Sequence, residues 1–225
     1  AFRAACDGKQ VAVLVPTTIL SMQHFKSFSR RLRDFPVTID YINRFMTGKA
    51  LTDTLNKVAS GETNLLVGTH ALVGKRVKFK ELGLLVIDEE QKFGVGVKDK
   101  LKTLKANVDT LTLTATPIPR TLQFSLMGAR DLSIIRTPPP NRHPVDTILS
   151  GFNEETIRDA IAYELSRGGQ AYFVHNRVGN IQEVAGMIQR LVPDARICIG
   201  HGQMEGKELE DVMARFIDGA YDVLV

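Results

Sequence analysis

The sequence predicts an α/β protein whose parallel sheets are covered by helices on both faces, arranged as two domains. Three observations carry this. Runs of consecutive apolar residues such as Val11-Ala12-Val13-Leu14-Val15 and Leu84-Leu85-Val86-Ile87 read as strands buried on both faces. Segments of helical length alternate with them, the order of parallel βαβ units. The alternation is broken once, by four prolines in the seven residues 138–144, which forbid helix and favour an extended connector, and it then resumes.

In chain order, the Val11–Val15 strand is closed by Pro16, and Thr17 or Thr18 is placed to cap a helix from Ile19 to Leu32. Val37 to Ile42 reads as a second strand, and Leu51 to Ala59 as a helix ended near Gly61. Leu65-Leu66-Val67 is a short strand leading into Gly68-Thr69-His70. The Leu84 strand follows Gly83 and runs into Asp88-Glu89-Glu90-Gln91. Lysine-rich Val97 to Leu104 reads as a surface helix, and Thr110 to Leu113 as a strand ending in Thr114-Ala115-Thr116-Pro117. The first domain thus takes residues 1–136 and the connector 137–144. Residues 145–225 read as the start of a second, incomplete domain: strand Val145–Leu149, helix Glu154–Leu165, strand Gln170–Val174, helix Ile181–Leu191, strand Arg196–Ile199, helix Glu205–Ile217 and strand Tyr221–Val225.

Composition narrows the class. With 225 residues, 44% hydrophobic and 24% charged, the chain has the make-up of a folded globular protein and not of a disordered tail. A formal charge of +4 permits nucleic acid as a partner without requiring it. Cys6 and Cys198 lack metal-ligand spacing and suggest neither a disulfide framework nor a zinc site. A reducing cytoplasm fits that cysteine usage best, and there is no signal-peptide pattern and no apolar run of membrane-spanning length. A chain that starts without Met and stops in an apolar run reads as a piece of something longer.

The chemistry concentrates at the carboxyl end of the Leu84 strand. Ligands of open α/β sheets sit outside the carboxyl ends of the strands, so Asp88 and Glu89 emerge where a phosphate and its Mg²⁺ would lie. Mg²⁺ takes one or two carboxylates and keeps several waters, while a neighbouring carboxylate can orient or deprotonate an attacking water. That assigns Asp88 to the metal and Glu89 to the water. Taken singly, the other polar clusters have plain readings: Pro16-Thr17-Thr18 as a helix cap, Thr69-His70 as a loop, Thr114 and Thr116 as caps of a helix near Pro117, and His201 between glycines as a turn.

Taken together, their order and spacing along strand ends resembles the first motor domain of superfamily-two helicases and translocases. Tyr172-Phe173-Val174-His175-Asn176-Arg177 and Ile199-Gly200-His201-Gly202-Gln203-Met204 look like that family's next two motifs. The resemblance implies tandem RecA-like domains of the P-loop NTPase type, truncated at both ends. Phe93-Gly94-Val95 after the acidic motif and Ile118-Pro119-Arg120-Thr121-Leu122 after the Thr-Ala-Thr motif resemble the branch shared by RecG-type helicases and bacterial transcription-repair coupling factors. The run Gly128 to Ile135, followed by Thr137-Pro138-Pro139, and the run from Ile199 to Met204 look closer to the coupling factors.

That resemblance implies an ATP- and Mg²⁺-dependent double-stranded DNA translocase of the bacterial cytoplasm and nucleoid, which displaces stalled RNA polymerase and recruits excision repair through domains outside this chain. A RecG-like branch-migrating helicase and a non-enzymatic α/β binding module are the alternatives. It also implies DNA contact by Pro16, Thr17, Thr18, Gly68, Thr69, His70, Asn176, Arg177, Gly200, His201, Gly202 and Gln203. Coupling of ATP to DNA falls to Gln91, Thr114, Ala115 and Thr116. Two departures matter. No Gly-rich phosphate loop with Lys and Ser/Thr occurs in the chain, and the family's arginine-bearing motif would lie past Val225, so the chain alone is expected to be inactive. Gln91 stands where related proteins often have His, which leaves hydrogen bonding to Thr114 available but not a titrating role.

Overall fold

The computed structural model describes residues 1–43, 46, 48–94, 96–97, 100–101, 108–115, 131–138 and 145–225. The chain divides into two compact units, Ala1–Ile134 and Ile135–Val225. Thr116, the Ile118–Leu122 and Gly128–Arg130 motif residues, most of the lysine-rich 97–104 segment and connector residues 139–144 lie outside the described residues. Within that segment Val97, Lys100 and Leu101 are helical, and Leu101 is buried.

The first unit runs α1 (Phe2–Cys6), β1 (Gln10–Leu14), α2 (Thr18–Arg31), β2 (Ile39–Ile42), α3 (Gly48–Ser60), β3 (Leu65–Gly68), β4 (Leu82–Asp88) and β5 (Asp109–Leu113). Its sheet has the order β2-β3-β1-β4-β5, and every pairing is parallel. β1 is the central strand and is buried throughout. Side chains alternate across it: Val11, Val13 and Val15 meet Leu65, Val67 and Val86 under Leu20 and Phe28 of α2, while Ala12 and Leu14 meet Leu66, Leu85 and Ile87 with Leu51 and Val58 of α3. Continuous apolar runs are what a strand sandwiched between two helical layers requires. Thr17 rather than Thr18 caps α2, its hydroxyl accepting the Leu20 N–H at 3.2 Å. Arg30 and Arg31 occupy the last turn, where cations favour the helix dipole.

Two features of this unit escape pattern reading. The helix α1 carries no strong sequence signal. Gln10, only 3% exposed, ties the amino ends of the strands together: its amide nitrogen donates to the carbonyls of Val58 and Thr63, each at 2.9 Å, and its oxygen accepts the N–H groups of Lys80 and Glu81 at 2.7 and 3.0 Å.

The second unit contains α4 (Glu154–Ser166), β6 (Ala171–Tyr172), α5 (Ile181–Leu191), β7 (Ile197–Cys198), α6 (Gly206–Ile217) and β8 (Val223–Leu224). Its sheet order is β6-β8-β7, again parallel. Asn153 caps α4, accepting the N–H groups of Glu155 and Thr156. Ile161, Ile181, Ile188 and Val223 form the core on one side of the sheet, and Cys198, Phe216 and Leu224 on the other. The ladders are two residues long, shorter than the apolar runs suggested. The strand expected at Val145–Leu149 is absent: these residues join no ladder, and Val145, Ile148 and Leu149 are 89, 82 and 100% exposed. Apolar, β-branched composition makes a strand only beside a neighbour that takes its N–H and C=O groups, and among the described residues none lies alongside. No helix of the described residues is long and apolar enough to cross a membrane.

Candidate active site and nucleic-acid interface

β4 delivers the acidic cluster. Asp88 is its last residue, opposite Leu113 of β5, and the ladder closes with the Glu89 N–H donating to the Leu113 carbonyl at 2.9 Å. There the chain turns through a left-handed conformation at Glu89, φ 53° and ψ 51°, the one non-glycine positive φ among the described residues. Such a conformation costs about 1–3 kcal/mol and persists only where the surroundings impose it. Its result is that the Glu89 carboxylate is held against β5. Oε1 accepts the Ala115 N–H at 3.0 Å, and Oε2 accepts from the Gln91 amide, which also donates to Thr114 Oγ1 at 3.2 Å. The hydroxyl of Thr112 donates to Glu90 Oε2 at 3.4 Å. Four sequence-predicted residues, Glu89, Gln91, Thr114 and Ala115, therefore form one hydrogen-bonded group.

Asp88 lies apart from that group. Its Oδ2 is 3.1 Å from Nε2 of His24 on α2, and among the described residues Oδ1 has no hydrogen-bond partner. The two side chains are 19 and 27% exposed. His24 was not singled out in the sequence, although its spacing four residues from both Leu20 and Phe28 places a polar ring in an otherwise apolar stripe. Among the described residues no group of three or more His, Cys, Asp or Glu could hold a metal ion by itself. A shielded carboxylate with one oxygen to spare fits a cation that takes its remaining ligands from water and phosphate, as Mg²⁺ does.

The clusters at the other strand ends sort into packing and accessible groups. Leu14 pairs with Gly68 and the Val15 N–H donates to the Gly68 carbonyl at 2.9 Å, so Pro16–Thr18 and Gly68–His70 leave the sheet side by side. Thr18, Gly68 and Thr69 are buried, whereas Thr17 and His70 are exposed. Gly68 is set by packing: a Cβ there would stand 2.9 Å from Ile42 Cγ1 and 3.1 Å from the Ile42 carbonyl. The Thr69 hydroxyl is buried and has no partner among the described residues. In the second unit, Asn176 and Arg177 are exposed beyond β6, with His175 Nε2 held 2.9 Å from Asn180 Oδ1. Gly200 packs under Leu209 and Leu224, and its N–H donates to the Val225 carbonyl. His201 is half-buried, its Nδ1 without a partner among the described residues, and Gly202 and Gln203 are exposed. Because β6, β8 and β7 are parallel, these loops share the carboxyl edge of one sheet.

Parallel α/β units with an acidic strand end hydrogen-bonded to the next strand's polar end define a helicase-type class, and residues 1–124 match the DEAD/DEAH box helicase family, to which the chain belongs. More particularly, over all 225 residues it is 52% identical to the transcription-repair-coupling factor of Staphylococcus epidermidis and 53% to that of Bacillus subtilis. It spans 19% of the length of each of these relatives. Among solved structures, RecG bound to a three-way DNA junction aligns with a TM-score of 0.70 at 31% identity, covering 97% of this chain and 29% of that one. Dbp5 of S. cerevisiae bound to RNA and ADP BeF3 aligns at 0.63 and 18% identity over 96% of this chain and 57% of that one, a likeness of fold. The resemblance read from the motifs, and the RecA-like α/β class it implied, are thereby shown.

Proposed function

We propose that this chain is part of the ATPase of a double-stranded DNA translocase that couples transcription to nucleotide excision repair by displacing stalled RNA polymerase. The observation that carries the reading is the double tether of Glu89, to Ala115 N–H and to the Gln91 amide, beside an Asp88 with one oxygen to spare. In this reading Asp88 holds Mg²⁺, which when bound with ATP would offset the charge developing on the phosphates. Glu89 orients the attacking water and takes its proton, its two tethers fixing where its remaining lone pairs point. Gln91 and Thr114, with Ala115 and Thr116, report the state of that carboxylate to the loops beyond the strand ends. Those loops, at Pro16–Thr18, Gly68–His70, Asn176–Arg177 and Gly200–Gln203, grip DNA phosphates without reading sequence. RNA polymerase and repair proteins are engaged by parts of the protein outside this chain, in the bacterial cytoplasm.

A RecG-like branch-migrating activity is the second reading, favoured by the alignment with a junction-bound helicase. The test uses the complete protein: ATP turnover with and without duplex DNA, triplex displacement, and release of RNA polymerase halted on a template. Duplex-stimulated turnover with triplex displacement and polymerase release is the expected result. Junction unwinding without polymerase release would select the second reading, and turnover indifferent to DNA would overturn both.

A further inference from the structure

Leu20, His24 and Phe28 stand four positions apart on α2, on a face turned toward the sheet. Leu20 and Phe28 belong to the cluster that also holds Val13, Val86 and Tyr41, so an aliphatic side chain at position 24 would complete an apolar stripe. An imidazole stands there instead, stacked on Phe28 with ring centroids 6.1 Å apart and its Nε2 3.1 Å from Asp88 Oδ2. On β4, Leu84, Val86 and Asp88 alternate onto one face, which is how the strand's terminal carboxylate comes to meet this helix. An ionised carboxylate only accepts hydrogen bonds, so Nε2 carries the proton and donates.

We propose that His24 is a positioning residue for Asp88. Its N–H fixes the rotamer of the carboxylate through Oδ2 and leaves Oδ1 as the oxygen offered to a cation. The inference rests on the ATPase reading of Asp88 and deepens it. Carboxylates that ligate metals are themselves usually hydrogen-bonded, and loss of such a partner typically costs 10–100-fold in metal affinity or activity. His24 neither touches substrate nor exchanges a proton in this scheme.

The test compares three variants of the complete protein. His24→Gln keeps an N–H near the place of Nε2, His24→Asn holds its donor too short to reach, and His24→Leu fills the stripe with no donor. The readout is the Mg²⁺ concentration at half-maximal binding of a fluorescent, non-hydrolysable ATP analogue, measured by anisotropy. His24→Asn and His24→Leu should raise that midpoint ~10-fold or more, His24→Gln should stay near wild type, and duplex affinity without nucleotide should be unchanged in all three. A wild-type midpoint in His24→Asn, or equal impairment of the Gln and Asn variants, would overturn the proposal, and this pair decides the matter even if His24→Leu fails to fold. Asp88→Ala separates the two levels of argument. If it raises the midpoint while His24→Asn does not, only the role of His24 falls; if it leaves the midpoint unchanged, the assignment of Asp88 to the cation falls with it.

Discussion

The backbone N–H of Ala115 donates to Oε1 of Glu89 at 3.0 Å, joining the loop beyond β5 to the acidic end of β4. A main-chain donor cannot rotate away as a side chain can, so any displacement of this loop is felt at the carboxylate, and the reverse. With the Gln91 amide on the other oxygen, Glu89 is fixed from two directions.

The first prediction concerns chemistry. The chain alone should hydrolyse ATP no faster than background, since no phosphate-gripping loop occurs in it and lost transition-state stabilisation costs orders of magnitude. In the complete protein Glu89→Gln should retain nucleotide binding and lower turnover by ~100-fold or more, measured as steady-state phosphate release. Unchanged turnover would remove Glu89 from the reaction.

Coupling gives the second. Replacing Thr114 and Thr116 together with Ala in the complete protein should leave duplex binding and part of the ATP turnover while abolishing movement. The motive is that the Gln91 amide bridges Glu89 and Thr114 although the threonine has no chemical part to play. Triplex displacement reads movement directly; full displacement at wild-type ATP consumption would reduce the segment to a helix cap.

Stability supplies the third. Gln10→Leu would leave the Thr63 carbonyl and the Lys80 and Glu81 N–H groups without the partner that now serves them, while the Val58 carbonyl keeps the Gly61 N–H. At about 1–3 kcal/mol for each buried group left unsatisfied, and with solvent relieving some, the first unit should lose about 3 kcal/mol or more. Urea unfolding followed by circular dichroism checks this, and a loss under ~1 kcal/mol would show that water replaces the amide at little cost.

The fourth is a pH dependence. The Arg196 guanidinium makes a two-point contact with Asp222, Nη2 to Oδ1 at 2.7 Å and Nε to Oδ2 at 2.9 Å, and the Arg196 N–H also reaches Oδ2. The hydrogen bond from Arg196 holds the Asp222 carboxyl below its ordinary 3.8. A group whose value is depressed on folding contributes stability that is complete above its unfolded value and is lost as pH falls through the folded one. Asp222→Asn should therefore lower the second unit's melting temperature at neutral pH, and the gap to wild type should close as pH drops below 3.8. A gap that persists undiminished in acid would mean that packing, not charge, is at work.

Much of the first unit was legible because its strands are local statements. Val11–Val15 and Leu84–Ile87 are apolar at every position, and only a strand covered on both faces has use for that. The strand ends, hence most of the site, followed from the same rule. What could not be read is what depends on distant partners. Val145–Leu149 has strand composition but no neighbour among the described residues, and pairing is decided outside the segment. His24 gains its meaning from a residue 64 positions away and Gln10 from residues 48 to 71 away. The left-handed turn at Glu89 is likewise imposed by its surroundings, since nothing intrinsic to glutamate favours it.

The last prediction concerns the DNA surface. Of the residues assigned to it in the second unit, Arg177 is an exposed cation at the carboxyl edge of the sheet, one residue beyond Asn176 and ahead of the turn that opens α5. No base-reading geometry is needed there, because the proposed translocase must hold any sequence, and a phosphate contact supplies affinity through counterion release. Arg177→Ala in the complete protein should weaken binding about equally for unrelated duplexes and reduce the slope of log affinity against log salt by roughly one. Nucleotide affinity should stay the same, because the proposed nucleotide-binding group lies at the end of β4 in the first unit. Fluorescence anisotropy over a salt series with two unrelated duplexes makes the measurement. A wild-type salt slope would take Arg177 off the phosphate backbone, and a loss confined to one duplex would replace a sequence-blind grip with base recognition.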